Sequence, residues 1–499
     1  MGTRRVPHRA TALLTMALAA GLLASCGSSG QPYAQLANHC AAPRPGVDTQ
    51  GTLNDEKAWL RGWTDDLYLW YSEVPNVDPN AYATAIDYFN VLKTTQPSPT
   101  GSGNPKDRFH FWIPTDQWVA FSQSGVEAGY GLTWAVVAPS RPRSVFVAFT
   151  DPNMPAANAA FGLARGWQVL TVDGNDVVNG TDPNPLNAGL FPANVNETHT
   201  FRLQDLAGTI HDPVTLTSAN VTETPVQNVG VISGTNVGYI LFNDHIATSE
   251  SLLVQAITNL KQQNVADLVL DIRYNGGGYL GIASELAYMI SGPSTGGKTF
   301  ERIIFNDKHP TNDPVTGAPL VPVPFLTTTQ GYSTNIASGT ALPTLNLSRV
   351  FVLTGGSTCS ASESVMNSLR GVGVQVVQVG STTCGKPYGF YPADNCGTTY
   401  FSIQFKGVNA VGFGDYSDGF IPGGTAAAPE PGCQVADDFT HALGDPAEAR
   451  LAVALQYRNG QPCPPATFAV RAALSTAQSG DVTLVKPPWR ENRILTRPR

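Results

Sequence analysis

Residues 268–290 read LVLDIRYNGGGYLGIASELAYMI, and this stretch decides the fold. The apolar run Leu268 to Ile272 is typical of a buried strand, the glycines at 276–278 indicate a turn, and an apolar helix follows. The same alternation of strand, turn and helix recurs downstream, at residues 350–353, 361–369 and 374–379. Buried strands linked by helices indicate an α/β core whose parallel or mixed sheet is covered on both faces.

The chain upstream of this core has two other sequence patterns, one typical of strands and one typical of helices. Residues 115–225 alternate short strand-like runs with turn signals such as Asp173-Gly174, and we expect a β-rich domain with a short helix over Met154 to Leu163. Residues 51–114 are predicted to be helical, because Trp59, Trp63 and Leu67 recur at helical spacing. The sequence therefore predicts a multidomain α/β protein, with the core at 226–499 and loops or a lid at 292–348.

The N-terminus predicts export. Three arginines precede an apolar run to Ala24, and Leu23-Ala24-Ser25-Cys26 resembles the lipobox of bacterial lipoproteins. The resemblance implies a signal peptide at 1–25, lipidation of Cys26, a tether at 26–50 and a place in the outer membrane facing the periplasm. The alternative is an ordinary cleaved signal peptide.

The composition of the chain argues against several classes of ligand. Charged residues are 14% of the chain and the net charge is −8, so we expect no nucleic acid partner. Seven cysteines less Cys26 leave six, an even number typical of disulfides in exported proteins. We predict a Cys384–Cys396 bridge from its short loop. Metal-type CxxC and HExxH strings are missing from the sequence, so we expect no metal and no cofactor.

Three short motifs in the core could carry chemistry. They are Asp271 to Gly278 (DIRYNGGG), Ser360 to Glu363 (SASE) and Thr383 to Lys386 (TCGK). Each also has a structural explanation, since glycine runs form turns, Ser-x-x-Glu is a helix-capping box and loop lysines are usually solvated.

Together the motifs supply the parts of an acyl-transfer site. A serine hydroxyl needs a base, and a lysine can serve when burial disfavours its ammonium form. A serine on the first turn of a helix lies beside unsatisfied N–H groups, so the Ala361 N–H and one N–H from the glycine loop could bind a tetrahedral oxyanion.

The set D-x-R-x-N-x-G-G, S-A-S-E and G-K resembles the carboxyl-terminal processing peptidases, or tail-specific proteases, over residues 115–400. The resemblance implies a crotonase-like core with Ser360 as nucleophile, Lys386 as base, and Gly277 and Ala361 as oxyanion donors. It also implies that residues 115–225 are a PDZ domain that captures apolar C-terminal tails of protein substrates. The residues expected to bind the tail are Gly129, Tyr130, Gly131 and Leu132.

Alternatives remain open at this point. Phe390 stands where the family commonly has a glutamine that orients the lysine, which favours a non-catalytic peptide-binding scaffold; an esterase with the same dyad is a third class. The other nucleophile considered is Cys359, and the histidines considered for a triad are His245, His309 and His441. We interpret Asp437, Asp438, His441 and Asp445 as a solvated acidic turn.

Overall fold

The computed structural model describes residues 32–100, 102–138, 140–158, 160–424, 430–465 and 493–495. The predicted signal peptide at 1–25 and the lipidation site Cys26 lie outside these residues. Among the helices of the described part, none is both long enough and apolar enough to cross a lipid bilayer.

The N-terminal part is helical, as its aromatic spacing predicts. Helix α1 is capped by Thr52, whose hydroxyl accepts the Asp55 N–H while the Asp55 carboxylate accepts the Thr52 N–H. The Trp59 and Trp63 rings stack 5.4 Å apart in a hydrophobic cluster shared with the α/β core, so the segment packs as part of that core. The elements here are β1 (His39–Cys40), β2 (Thr49–Gln50), α1 (Leu53–Leu67), α2 (Ala85–Phe89), β3 (Phe111–Pro114) and α3 (Thr115–Ser124).

Residues 126–222 form a β-domain with a hydrophobic cluster of its own. Its main sheet has the order β10-β9-β7-β6-β5, with β8 beside β7 and a separate β4–β11 pair, so β5 is an edge strand. The elements are β4 (Val126–Gly129), β5 (Leu132–Ala138), β6 (Ser144–Thr150), β7 (Gln168–Val172), β8 (Asn175–Asp176), α4 (Asn184–Leu190), β9 (Thr198–Gln204), β10 (Ile210–Thr217) and β11 (Ala219–Thr222).

The helix predicted over Met154 to Leu163 is wrong. The described residues of this segment form one 3-10 turn, Pro155–Ala157. Asn158 has φ −62° and ψ 123°, an extended conformation that ends this turn, and Ala156, Phe161 and Leu163 pack against the β-domain cluster.

The α/β core is built on a six-stranded sheet of order β12-β13-β14-β18-β19-β24. All neighbours are parallel except β12, which is an antiparallel edge. Helices α5, α6 and α7 pack on one face and α8 on the other, which confirms the predicted α/β class. The elements are β12 (Val226–Val231), β13 (Val237–Phe242), α5 (Ser249–Gln262), β14 (Asp267–Asp271), β15 (Gly277–Tyr279), α6 (Leu280–Ser291), β18 (Arg349–Thr354), α7 (Ala361–Gly371), β19 (Gln375–Gly380), β24 (Gly432–Gln434) and α8 (Ala449–Arg458).

Residues 292–348 contain more than the predicted loops or lid. Strand β16 in this segment pairs with β17 and β23 in a sheet of order β17-β16-β23-β20 and lies against α7. Its sequence, TFERIIF, buries Phe300 and Phe305 and could have been recognised as a strand. The remaining strands are β16 (Thr299–Phe305), β17 (Val323–Pro324), β20 (Tyr388–Gly389), β21 (Ala393–Asn395), β22 (Thr398–Phe401), β23 (Phe405–Val408) and β25 (Arg493–Leu495); β22 pairs with β21 and β3, and β25 pairs with β15.

The disulfides are Cys40–Cys396, Cys359–Cys384 and Cys433–Cys463. The predicted Cys384–Cys396 bridge is therefore wrong. Cys396 lies between β21 and β22 and is bonded to Cys40. Cys384 is bonded to Cys359, which lies on the loop after the neighbouring strand β18. A short separation in sequence did not predict the pairing, because tertiary contacts decide which cysteine lies next to Cys384 and which lies next to Cys396.

Candidate active site

Ser360 lies at the start of helix α7, directly after β18 and a glycine turn. Its backbone has φ 62° and ψ −113°, a conformation that costs a residue with a side chain about 1–3 kcal/mol and that only a well-fixed surrounding maintains. The side chain is fully buried, and its Oγ has no hydrogen-bond partner within the described ranges. A buried hydroxyl on a strained turn ahead of a helix is a candidate nucleophile.

Lys386 lies on the loop after β19 and is also fully buried. Its Nζ is 4.2 Å from the centroid of the Phe390 ring and 4.8 Å from that of the Phe109 ring. Phe390 thus packs an aromatic face against the amine where a glutamine would offer a hydrogen bond. Phe109 comes from the N-terminal segment, and no local sequence pattern marked it as part of the site.

Glu363 joins the serine loop to the lysine loop. Its Oε2 accepts the Ser360 N–H at 3.0 Å and the Lys386 N–H at 2.8 Å. Its Oε1 accepts the Gly385 N–H at 2.9 Å and the Thr383 hydroxyl. One carboxylate oxygen therefore holds the backbones of both candidate catalytic residues. The capping role predicted for Glu363 is only part of what this side chain does.

Burial raises the pKa of the Glu363 carboxyl, and the hydrogen bonds from Thr383 and from the Lys386, Ser360 and Gly385 backbones lower it without cancelling that effect. All four neighbours are donors, which matches the acceptor geometry of a carboxylate. The carboxyl therefore has little freedom to rotate, and it fixes the spacing between the two loops.

The Cys359–Cys384 disulfide joins the same two loops covalently. Cys359 directly precedes Ser360, and Cys384 lies two residues before Lys386. Because Cys359 is oxidised, it offers no thiolate, and the alternative of a cysteine nucleophile does not fit this structure.

The glycine loop meets the serine loop through Asn275. The Asn275 carbonyl accepts the Cys359 N–H at 3.0 Å and the Ser362 hydroxyl at 3.1 Å. The Asn275 side-chain oxygen accepts the Gly277 N–H at 2.9 Å. The N–H expected to serve as an oxyanion donor is thus engaged in this conformation. The Ala361 N–H is on the first turn of α7, where a helix has no internal acceptor for it.

The histidines considered for a triad have separate partners. His245 Nδ1 lies 3.0 Å from the Asn275 side-chain oxygen, and so borders the glycine loop. His309 lies 3.0 Å from Asp66 and His441 lies 2.7 Å from Asp438, both on loops other than the serine loop.

A buried ion network connects the β-domain to the glycine loop. Arg165 donates to the Tyr274 hydroxyl and to Asp437, each at 2.7 Å, and Arg273 also donates to Asp437 at 2.7 Å. Burial alone would raise the pKa of Asp437, but Arg450, Arg273 and Arg165 hold it well below its usual value. The interpretation of Asp437 as part of a solvated turn is wrong, since its side chain is 15% exposed and paired. No local sequence pattern indicates that Asp437 pairs with Arg165 and Arg273.

The expected tail-binding residues lie at one end of the β-domain. Gly129, Tyr130 and Leu132 line a cavity of about 380 Å³ between β4, β5 and the end of α4. Gly131 has φ 72°, and a Cβ there would lie 2.1 Å from the Met154 Cβ, so the loop requires glycine. The Tyr130 hydroxyl donates to the Gly189 carbonyl at 2.8 Å, which ties the loop to α4.

Comparison with known proteins relates two segments of the chain to one peptidase family. Residues 236–389, which include Gly277, Ser360, Ala361 and Lys386, match the family model of peptidase family S41. Residues 55–111 match the model of the peptidase S41 N-terminal domain. Two separate segments of the chain are thus similar to domains of peptidase family S41.

Two known proteins are similar to longer or shorter parts of this chain. The chloroplastic C-terminal processing peptidase of Tetradesmus obliquus is 29% identical over 160 residues, which are 30% of this chain and 34% of that protein. The match thus spans about a third of the relative's length. The crystal structure of a protein of Bacteroides fragilis NCTC 9343 assigned to the S41 proteases superposes with a TM-score of 0.58 at 20% identity, over 81% of this chain and 97% of that one, which supports the same fold.

Proposed function

We propose that this protein is a serine endopeptidase that cleaves polypeptides near their C-termini with a Ser360/Lys386 dyad. The observation that carries the proposal is the Glu363 carboxylate oxygen that accepts both the Ser360 and the Lys386 N–H. Two residues of suitable chemistry, separated in sequence and both fully buried, thereby have their backbone N–H groups on one oxygen atom.

In the proposed reaction, the neutral Lys386 amine takes the proton of the Ser360 hydroxyl as Oγ attacks the scissile carbonyl carbon. The Ala361 N–H and the Gly277 N–H donate to the oxyanion, the latter once substrate displaces the Asn275 side-chain oxygen. The tetrahedral intermediate then collapses, the leaving amine takes the proton from Lys386, and an acyl-Ser360 ester remains. Lys386 next accepts a proton from water as the water attacks the ester. The second tetrahedral intermediate then collapses, and Lys386 returns this proton to the Ser360 Oγ, which leaves as the acid product is released.

The dyad is tested with an unstructured protein ending in apolar residues. Ser360→Ala and Lys386→Ala each should reduce cleavage by at least about a thousandfold, because a serine dyad acts as a unit. Ser357→Ala and Lys298→Ala serve as controls on the same loop and on the surface, and should cleave like the wild type. Cleavage that persists in either dyad variant would reject the mechanism.

We also propose that the β-domain acts as a PDZ-like module that captures a substrate's C-terminal tail. Strand β5 is an edge strand among the described residues and could pair with an added peptide strand, and the cavity at Gly129, Tyr130 and Leu132 lies next to its start. Backbone N–H groups of this loop would bind the terminal carboxylate. Amidating the substrate's C-terminus should raise KM; an unchanged KM would count against carboxylate capture.

A peptide-binding scaffold is the second candidate, favoured by Phe390 against Lys386 and by the engaged Gly277 N–H. Tail binding by the wild-type protein without any cleavage would establish it in place of the peptidase.

We further propose that the protein is exported and anchored to the outer membrane through a lipid on Cys26. Three disulfides support an oxidising compartment. Labelled palmitate should be incorporated into the wild type and lost in Cys26→Ala; incorporation that continues in the variant would refute the anchor.

A further inference from the structure

Strand β25 (Arg493–Leu495) lies among the three candidate catalytic motifs. It pairs in parallel with β15, with Gly277 opposite Arg493, Gly278 opposite Ile494 and Tyr279 opposite Leu495. The same strand also lies against α7, which starts directly after Ser360, and against β20, which starts two residues after Lys386. A short extended piece of this chain therefore lies beside β15, α7 and β20, the elements that carry or directly follow the three motifs.

The opposite edge of β15 is already occupied. The Gly277 carbonyl accepts the His245 N–H at 2.9 Å, and the Tyr279 N–H donates to the His245 carbonyl at 2.8 Å. This approach requires glycine at 278, where φ is 131° and a Cβ would lie 2.5 Å from the His245 carbonyl oxygen. Within the described residues, β25 is the one strand that pairs with the other edge.

We propose that this edge of Gly277–Tyr279 is the backbone-binding subsite for substrate, and that residues 493–495 are its resident ligand, which substrate must displace. The proposal rests on the proposed function, because it assigns the ligand of the same site. Extended polypeptides bind to a sheet edge through main-chain hydrogen bonds, so a strand of this chain and a strand of substrate compete for one set of partners.

Tethering makes even a weak ligand effective. A segment of the same chain has an effective concentration on the order of 1 mM at its site, so a segment with a dissociation constant of about 0.1 mM would fill about nine-tenths of the sites. Competition of this kind raises KM about tenfold and leaves kcat unchanged.

The test compares the full chain with a variant that ends after Pro465, which keeps Cys463 and its disulfide. The truncated protein should show about a tenfold lower KM for an unstructured substrate and the same kcat. In full-length protein, Arg493→Pro, Ile494→Pro and Leu495→Pro combined should do the same, because proline cannot sustain strand pairing. Prolines at Val482, Thr483 and Leu484 are the matched control and should leave KM at the wild-type value.

Hydrogen exchange separates this proposal from the proposed function. It is measured on Ser360→Ala protein, so catalysis is not needed. The Gly278 amide should exchange faster after truncation, because the Gly277 and Tyr279 N–H groups have partners outside β25. A synthetic peptide of residues 488–499 should restore its protection, while a scrambled peptide should not. Unchanged protection together with unchanged KM would overturn the subsite. Faster exchange in a protein that never cleaves substrate would uphold the subsite and reject the peptidase.

Discussion

The serine and lysine loops and the β-domain are fixed by different means. The two loops are joined by a disulfide and by one buried carboxylate that accepts four hydrogen bonds. The β-domain has its own hydrophobic cluster and contacts the glycine loop through the polar network of Arg165. Groups that react need positions fixed within about 0.5 Å, whereas a binding domain can dock as a unit. The difference indicates that chemistry and capture can be perturbed separately.

Outside the proposed dyad itself, the largest effect on turnover is expected at Glu363. An amide in Glu363→Gln would turn a donor toward backbone N–H groups, so we expect kcat to fall about a hundredfold and the free energy of unfolding to drop by about 3 kcal/mol. Kinetics and urea unfolding measure the two effects.

The matched control is Glu301→Gln. Burial raises the pKa of the Glu301 carboxyl to about 8, so this group is mainly neutral at pH 7 and an amide resembles it. It should change kcat by less than about twofold. Equal losses in the two variants would show that Glu363 has no special role in spacing the loops.

Removing the Cys359–Cys384 bridge should have the next largest effect. Cys359→Ser combined with Cys384→Ser is expected to lower kcat about tenfold at unchanged KM, because the two loops lose a covalent link beside the dyad. Cys433→Ser with Cys463→Ser removes a bridge of similar loop length and should lower stability by a similar amount, about 3 kcal/mol, without lowering kcat. An equal kcat loss in the Cys433→Ser, Cys463→Ser variant would show that the loss in the first variant results from lower stability alone.

Arg165 tests the connection between the two regions. Arg165→Met leaves Asp437 and Tyr274 without one donor, so we expect a several-fold rise in KM for tailed proteins and a smaller change in kcat. Arg202→Met, at an exposed β-domain position, is the control. If kcat fell while KM stayed unchanged, the Arg165 network would act on the Ser360/Lys386 dyad and not on the docking of the β-domain.

The smallest effect on turnover is expected at Asp151, at the end of β6. Burial raises the pKa of Asp151 to about 6, although the Thr224 N–H opposes this. The folded state therefore binds the proton more tightly than the unfolded state, and stability falls as pH rises from about 4 to about 6. Asp151→Asn should gain at most about 3 kcal/mol at pH 7 and nothing at pH 3.5, as followed by thermal unfolding. A stability gain that is equal at both pH values would show that titration of Asp151 is not its cause.

Much of the core follows from local sequence. The strands around Leu270 and Val352 are continuous apolar runs, glycine turns end them, and Ser360 falls on a helix start, so sheet class and candidate dyad could be predicted. Local patterns carry no information on which distant groups meet. The Phe109 ring against Lys386, the Asp437 network and the Cys40–Cys396 pair depend on contacts between remote segments, and they were missed for that reason.

The Cys40–Cys396 disulfide makes a covalent ring of most of the described chain, since its cysteines are 356 positions apart. Ser360 and Lys386 both lie inside this ring. A single peptide-bond cut anywhere between Cys40 and Cys396 therefore opens the ring and releases no fragment. A protein exposed to other proteases, or to copies of itself, would keep both halves of its dyad in one covalent molecule after such a nick.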